Sequence, residues 1–130
     1  MERACDLQGV VPMLQVGSMA ESLDYYCQVL GFALHETWPE GEVPRWARVS
    51  RDAVSFILTM DLGTSDRAFI AEKGNGVVFY LPCGGLHALY EELSASGALI
   101  VQEPISFGDR EQFTVADVNG YVLTFTSPFS

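Results

Sequence analysis

The feature that most constrains the fold of this chain is an approximate internal repeat. A short apolar run at residues 10–16 precedes a segment of helically spaced apolar residues that ends at Gly31. The same plan returns with an apolar run at 76–81 and a second helical segment that ends at Gly97. An offset of 66 residues aligns the two glycines and also pairs Val11 with Val77. A supersecondary unit that occurs twice fixes the architecture before any single element is assigned.

Three extended segments follow each predicted helix, so that each half of the chain is predicted to be a βαβββ unit. These segments lie near residues 33–37, 46–49 and 54–60, and again near 99–102, 112–116 and 121–126. The pair Asn119-Gly120 is a strong hairpin signal, because both residues tolerate positive φ. The sequence therefore predicts the α+β class, with two βαβββ modules forming cupped mixed sheets and the helices on the outside.

The length of 130 residues is that of one domain. We expect a single domain over residues 1–130, built of repeats at about 9–60 and 76–127. Gly63, Ser65 and Gly74 mark a polar connector at 61–75. Half of this chain buries too little surface to be stable alone, so the two sheets should pair through their apolar faces.

The charge balance argues against two classes of partner. Seventeen acidic and seven basic side chains give a formal charge of -10, which repels nucleic-acid phosphates and anionic membrane surfaces and attracts a cationic small molecule. No apolar run approaches the roughly twenty residues that span a bilayer, and the N-terminal residues lack the apolar core of a signal peptide. We expect no nucleic-acid or membrane partner and a cytoplasmic location.

Cysteine and histidine are too few and too scattered for a conventional metal or disulfide site. Cys5, Cys27 and Cys83 form no close-spaced pair, and the chain has only two histidines. The cysteines are best interpreted as reduced thiols, and an imidazole-rich metal site is excluded by counting.

Two motifs carry a family resemblance. The stretch from Val16 to Phe32, with the sequence VGSMAESLDYYCQVLGF, and the stretch from Arg110 to Phe125, with the sequence REQFTVADVNGYVLTF, resemble the vicinal oxygen chelate superfamily. That superfamily includes glyoxalase I, bleomycin resistance proteins and extradiol dioxygenases. The resemblance implies a homodimer, and it leaves open whether the modules are exchanged between chains.

In metal-using members, the resemblance implies, the ligands come from the first and fourth strands of each half. Those positions fall here on Val11, Ile57, Val77 and Thr124. The first three cannot coordinate a divalent ion, and a threonine hydroxyl alone is a poor ligand. We therefore expect no cofactor and no catalytic residues, as in the bleomycin-resistance branch.

The expected function is metal-free binding of a small hydrophobic or cationic molecule of antibiotic type, in the cupped sheet or in a dimer cleft, with a role in antibiotic resistance. One alternative is a metal-dependent enzyme of the superfamily, a lyase or dioxygenase, with atypical ligands. Another is an accessory module whose cup is packed shut.

Candidate ligand-binding residues follow from strand alternation and from aromatic content. Side chains two residues apart share a face of a strand, which groups Met13 with Gln15 and Phe79 with Val77. An inward amide or hydroxyl needs a partner, which a ligand could supply. The predicted set is Met13, Gln15, Trp38, Trp46, Ile57, Phe79, Phe107 and Thr124. Each of these residues could instead fill a core.

The segment around Trp38 is both acidic and aromatic. Glu36, Glu40 and Glu42 surround this tryptophan and would suit a cationic, partly flat molecule, although such clusters are usually solvated loop surface. Trp46 aligns with Phe113 in the repeat, which favours core packing for it. Phe107 is assigned to a loop at 106–109, across the cleft.

Overall fold

Each half of the chain folds into a four-stranded mixed sheet with one helical segment. The computed structural model describes residues 4–39, 41, 43–60 and 76–128, apart from the side chain of Phe107. The predicted connector at 61–75, Glu40 and Glu42 lie outside the described residues. The order of elements confirms the α+β fold of two βαβββ units.

The first sheet has the strand order β1-β4-β3-β2 and the second has β5-β8-β7-β6. In each sheet the first strand pairs in parallel with the fourth, and the other pairs are antiparallel. The first half comprises β1 (Met13–Gln15), α1 (Met19–Asp24), a π-helical turn (Tyr25–Val29), β2 (Ala33–Trp38), β3 (Trp46–Arg51) and β4 (Val54–Thr59). The second comprises β5 (Val78–Pro82), α2 (Leu86–Ala95), β6 (Leu99–Phe107), β7 (Arg110–Ala116) and β8 (Val122–Thr126). No described helix has both the length and the apolar character needed to span a bilayer.

The two sheets share one hydrophobic core. Alternate residues of the strands, such as Val49 in β3 and Val115 in β7, are completely buried in a single cluster with residues of the helical segments. Phe56 of β4 contacts Phe79 of β5 edge to face, with ring centroids 5.6 Å apart. Because each sheet turns one face toward this core, the other faces of the two sheets point away from it.

These outward faces are defined by rows of directly paired residues, whose side chains lie on the same side of a sheet. The first outer face has the rows Met13–Ile57–Arg48–Glu36 and Gln15–Thr59–Trp46–Trp38. The second outer face has the rows Val78–Val122–Ala116–Leu99, Tyr80–Thr124–Thr114–Gln102 and Pro82–Thr126–Gln112–Ile105.

The repeat does not keep one offset along the chain. By their positions in these rows, Met13 corresponds to Tyr80, 67 residues later, and Arg48 corresponds to Thr114, 66 residues later. The change occurs in the first helical segment, which holds one more residue than the second. That residue is accommodated in the π-helical turn, where the N–H of Leu30 donates to the carbonyl of Tyr25 at 2.9 Å. A single offset of 66 therefore misplaces β5 by one residue.

The turn between β7 and β8 holds the first helical segment against the second sheet. The buried hydroxyl of Tyr26 donates to Asp117 Oδ2 at 2.7 Å, and Asn119 Nδ2 donates to Ser22 Oγ at 3.0 Å. The hydroxyl of Tyr25 donates to a backbone carbonyl at the end of β7 at 2.6 Å. These contacts join the two halves through groups that are largely shielded from water.

The turn between β3 and β4 makes the matching contact with the second helix. Arg51 donates to both carboxylate oxygens of Glu92, at 2.7 and 2.9 Å, and also to the carbonyl of Leu30 at 2.8 Å. Gly31 permits this approach, because a Cβ there would lie 2.7 Å from Arg51 Nη1 and the residue has a φ of +78°.

Candidate functional site

A cavity of about 510 Å³ opens on the first outer face, and both tryptophans of the chain line it. Its remaining lining residues are Glu36, Arg45 and Thr59. We call this cavity the tryptophan pocket. Its volume is in the range of small-molecule sites, and aromatic side chains with a few polar groups are their usual lining.

The strand register places the aromatic rings. Trp38 is the last residue of β2 and pairs directly with Trp46, the first residue of β3, which in turn pairs with Thr59 at the end of β4. The N–H of Arg45 donates to the carbonyl of Trp38, and the carbonyl of Arg45 accepts from the N–H of Met60, both at 2.9 Å. The backbone around the pocket is therefore fixed, while the Trp38 side chain stays 64% exposed.

The charged groups of the first outer face are partly neutralised within it. Arg48 Nε donates to Glu36 Oε1 at 2.8 Å, in the row beside the tryptophans. Glu36 is thus already paired with a cation, and the expected acidic surface around Trp38 has no further carboxylate among the described residues of these rows.

Gln15 lies at the bottom of the same face and is 5% exposed. Its backbone N–H and carbonyl both bond to the hydroxyl of Tyr121, at 3.0 and 2.9 Å. Its side-chain oxygen Oε1 is buried and has no hydrogen-bond partner within the described part of the chain. A buried amide oxygen without a partner costs free energy, so this group can gain from any donor that reaches it.

The second outer face carries neutral polar groups that bond to each other. The hydroxyls of Thr114 and Thr124 are 2.9 Å apart, and Gln112 Nε2 donates to Gln102 Oε1 at 3.1 Å. Thr124 is therefore already satisfied by a neighbouring strand. Tyr80 stands over this row with 55% of its surface exposed.

A second cavity, of about 490 Å³, lies between the two halves beside the Arg51–Glu92 pair. Cys83 lines it, but burial raises the pKa of this thiol, which disfavours the thiolate needed for nucleophilic chemistry. The facing charges of Arg51 and Glu92 are paired with each other. This cavity therefore offers less to a ligand than the tryptophan pocket does.

Comparison with known proteins places this architecture in a family. The model of the Glyoxalase/Bleomycin resistance protein/Dioxygenase superfamily matches residues 10–125. This chain belongs to that superfamily. No curated protein sequence is significantly similar to it.

Several solved structures of the superfamily fold superpose on nearly the whole chain. An antibiotic binding protein from Streptomyces sp. CB03234 is 19% identical, with a TM-score of 0.74 over 96% of this chain and 99% of its own. TioX from Micromonospora sp. ML1 is 20% identical, with a TM-score of 0.72 over 95% and 98%. A glyoxalase/bleomycin resistance protein/dioxygenase from Alicyclobacillus acidocaldarius is 14% identical, with a TM-score of 0.71 over 94% and 92%. At these identities the likeness concerns the fold.

The residues at the superfamily's metal positions do not fit a divalent ion. The offset of 67 replaces Val77 by Val78 as the counterpart of Val11, and valine offers no donor in either case. Ile57 likewise has none, and the Thr124 hydroxyl is bonded to Thr114. Within the described residues, no three His, Cys, Asp or Glu side chains are grouped closely enough to hold a metal.

The structure brings most of the predicted ligand-binding residues to the outer faces. Met13, Gln15, Trp38, Trp46 and Ile57 share the first outer face, and Thr124 lies on the second. The prediction that Trp46 packs in the core was wrong, because its structural counterpart is Gln112. Phe113 instead corresponds to the buried Ala47.

Two further placements differ from the prediction. Phe79 does not line the cup but packs on Phe56 in the core, and Tyr80 occupies the outward position. Phe107 was assigned to a loop, but its backbone ends strand β6 and pairs with Arg110, so that the hairpin turn is Gly108-Asp109. The side chain of Phe107 lies outside what the structure describes.

Sequence reasoning missed Arg45, Arg48, Thr59 and Tyr80. Alternation along β4 from Ile57 points to Thr59, which was therefore within reach of the sequence. Arg48 and its partner Glu36 lie on different strands, 12 residues apart, and only the β2–β3 register brings them together.

Proposed function

We propose that this protein is a metal-free binding protein that holds a small, largely flat hydrophobic molecule of antibiotic type in the tryptophan pocket. The observation that carries the proposal is the placement of both tryptophans side by side on an open sheet face, in a superfamily member whose metal positions hold valine and isoleucine. Sequestration of such a molecule would give antibiotic resistance without chemistry.

The physical basis of binding is stacking and burial of apolar surface. Indole rings offer a large flat surface, and stacked or edge-to-face aromatic pairs are worth about 0.5–1.5 kcal/mol beyond the area that they bury. Trp38 is largely exposed, so a ligand that covers it removes apolar surface from water. The hydrophobic form of the predicted ligand is favoured over the cationic one, because Glu36 is already paired with Arg48.

We further propose that the binding cleft is completed by a second copy of the chain. Met13 on the first outer face and Tyr80 on the second are each about half exposed, as are Val78 and Leu99. Exposed apolar side chains grouped in this way are typical of interaction surfaces. One chain cannot bring its two outer faces together, because they point away from a shared core.

A two-fold dimer solves this problem. The first outer face of one protomer can lie opposite the second outer face of its partner, and the symmetry axis then generates two identical clefts. A cytoplasmic location fits the free cysteines Cys5, Cys27 and Cys83, since unpaired thiols persist in reducing compartments.

The test uses the two tryptophans as reporters, since the chain has no others. Purified protein is titrated with 1-pyrenemethanol, an uncharged flat probe, and energy transfer from tryptophan to pyrene is followed. We expect saturable transfer, and Trp46→Phe as the sole-Trp38 version should retain it. Trp38→Ala should weaken the affinity about tenfold, as expected for the loss of a stacking partner.

The matched control is Leu34→Ala, which truncates an exposed apolar residue of the same strand on the opposite face. This variant should bind like the wild type. Transfer that rises linearly with probe concentration in the wild type, without saturation, would contradict the proposed binding function.

A further inference from the structure

The basic side chains of this acidic protein are concentrated beside the tryptophan pocket. The whole chain has seven basic residues and a formal charge of -10, yet Arg45 and Arg48 both lie at the first outer face. Glu36 is the one carboxylate in the described rows of that face, and it accepts from Arg48. The described groups at the pocket thus leave one positive charge uncompensated.

Arg45 supplies that charge. Its backbone is held on both sides, by the carbonyl of Trp38 and the N–H of Met60. Its guanidinium forms no ion pair with any described residue, and its side chain lines the pocket. A guanidinium is a planar fork that bonds a carboxylate or sulfonate through two parallel hydrogen bonds, so it suits an acidic group attached to a flat ring.

The second outer face would not oppose an anion. Its three rows hold hydroxyl, amide and apolar side chains and no charged one, with Tyr80, Gln102 and Gln112 as the larger polar members. Arg110 lies two residues before Gln112 on β7 and therefore on the same side of that sheet. A cationic ligand, by contrast, would meet no carboxylate in these rows apart from Glu36.

We infer that the tryptophan pocket selects flat aromatic molecules that carry an acidic group, with Trp38 and Trp46 against the rings and Arg45 paired with the acid. This inference rests on the proposed binding function. It reverses the charge preference that the net charge of the whole chain suggests, because binding depends on the groups at the pocket.

The test compares three probes that share one ring system. Pyrene-1-carboxylate, 1-pyrenemethanol and 1-pyrenemethylammonium carry charges of −1, 0 and +1 at neutral pH, and each is titrated by energy transfer from the two tryptophans. The wild type should bind the carboxylate about tenfold more tightly than the alcohol, and the ammonium compound most weakly, as expected for one charge-assisted hydrogen-bonded pair.

Three variants separate a local contact from the overall charge. Arg45→Gln should remove the preference for the carboxylate and leave the affinity for the alcohol unchanged, whereas Arg45→Lys should keep part of the preference. Ala20→Glu changes the net charge by the same amount on the exposed side of α1, and it should bind all three probes like the wild type.

The possible failures are distinguishable. If none of the three probes gives saturable transfer, the binding function and this inference both fail. If the alcohol binds but the carboxylate binds no better, or if Ala20→Glu lowers carboxylate affinity as much as Arg45→Gln does, the pocket is a binding site without the proposed selectivity, and this inference alone is wrong.

Discussion

Replacing Tyr26 by phenylalanine is expected to weaken the joint between the two halves of the chain. The Tyr26 side chain is fully buried, and its hydroxyl donates to Asp117 Oδ2 at 2.7 Å. The other oxygen of Asp117 accepts from the N–H groups of Asn119 and Tyr121, at 2.8 and 2.9 Å. Burial, and then the charge of Asp117, raises the pKa of the Tyr26 phenol well above its ordinary value, so the hydroxyl remains a donor.

The size of the effect follows from the charge of the acceptor. A hydrogen bond to a charged group contributes about 1.5–3 kcal/mol, because its loss leaves a buried acceptor without a donor. Phenylalanine keeps the ring contacts with Phe32 and Phe56, whose centroids lie 5.7 and 5.8 Å away, so packing should change little. We expect Tyr26→Phe to lower the free energy of unfolding by about 2 kcal/mol.

The assay is equilibrium unfolding in urea at neutral pH, with wild type and variants at one protein concentration because association affects stability. Tyr90→Phe is the control: its ring packs on Phe113, and its hydroxyl has no hydrogen bond within the described structure. This control should lose less than about 0.5 kcal/mol. Equal losses in the two variants would show that Asp117 does not depend on Tyr26, which would refute the reasoning.

Two further predictions concern the Arg51–Glu92 pair and the outer faces. The hydrogen bond from Arg51 lowers the pKa of Glu92, so the pair stabilises the fold above the ordinary carboxylate pKa and loses that effect as the pH falls through the lowered value. Because Glu92 is about half exposed, Glu92→Gln should cost less than about 1 kcal/mol at neutral pH, and the difference in urea midpoint from the wild type should close in acid; a constant difference contradicts this. Tyr80→Asp places a charge in the apolar rows of the second outer face and should shift sedimentation from dimer to monomer, whereas Ser94→Asp on exposed α2 should not. A wild type that sediments as a monomer contradicts the dimer.

The sequence predicted the order of elements because hydrophobic periodicity and glycine stops depend only on local spacing. It did not predict the register of β5, because the extra residue in the π-helical turn gives no local signal. The alignment on Gly31 and Gly97 was sound after the helices and one residue out before them. As a result Phe79 was assigned to the cup, and the outward residue is Tyr80.

The candidate site was predictable to a similar degree. Trp38 and Trp46 stood out by residue type, and alternation placed Met13 and Gln15 on one face. The ion pair of Glu36 with Arg48 depends on cross-strand neighbours, and so does the position of Arg45 beside the rings. These contacts exist only once the β2–β3 register is fixed, and they reversed the charge that the pocket was expected to favour.

The most direct test of metal-free binding is the energy-transfer titration with 1-pyrenemethanol on protein treated with a chelator, repeated after addition of zinc, nickel or manganese. The account predicts the same saturable curve in every case, with Trp38 and Trp46 as donors. A signal that disappears in the chelator and returns with one of these metals would contradict it.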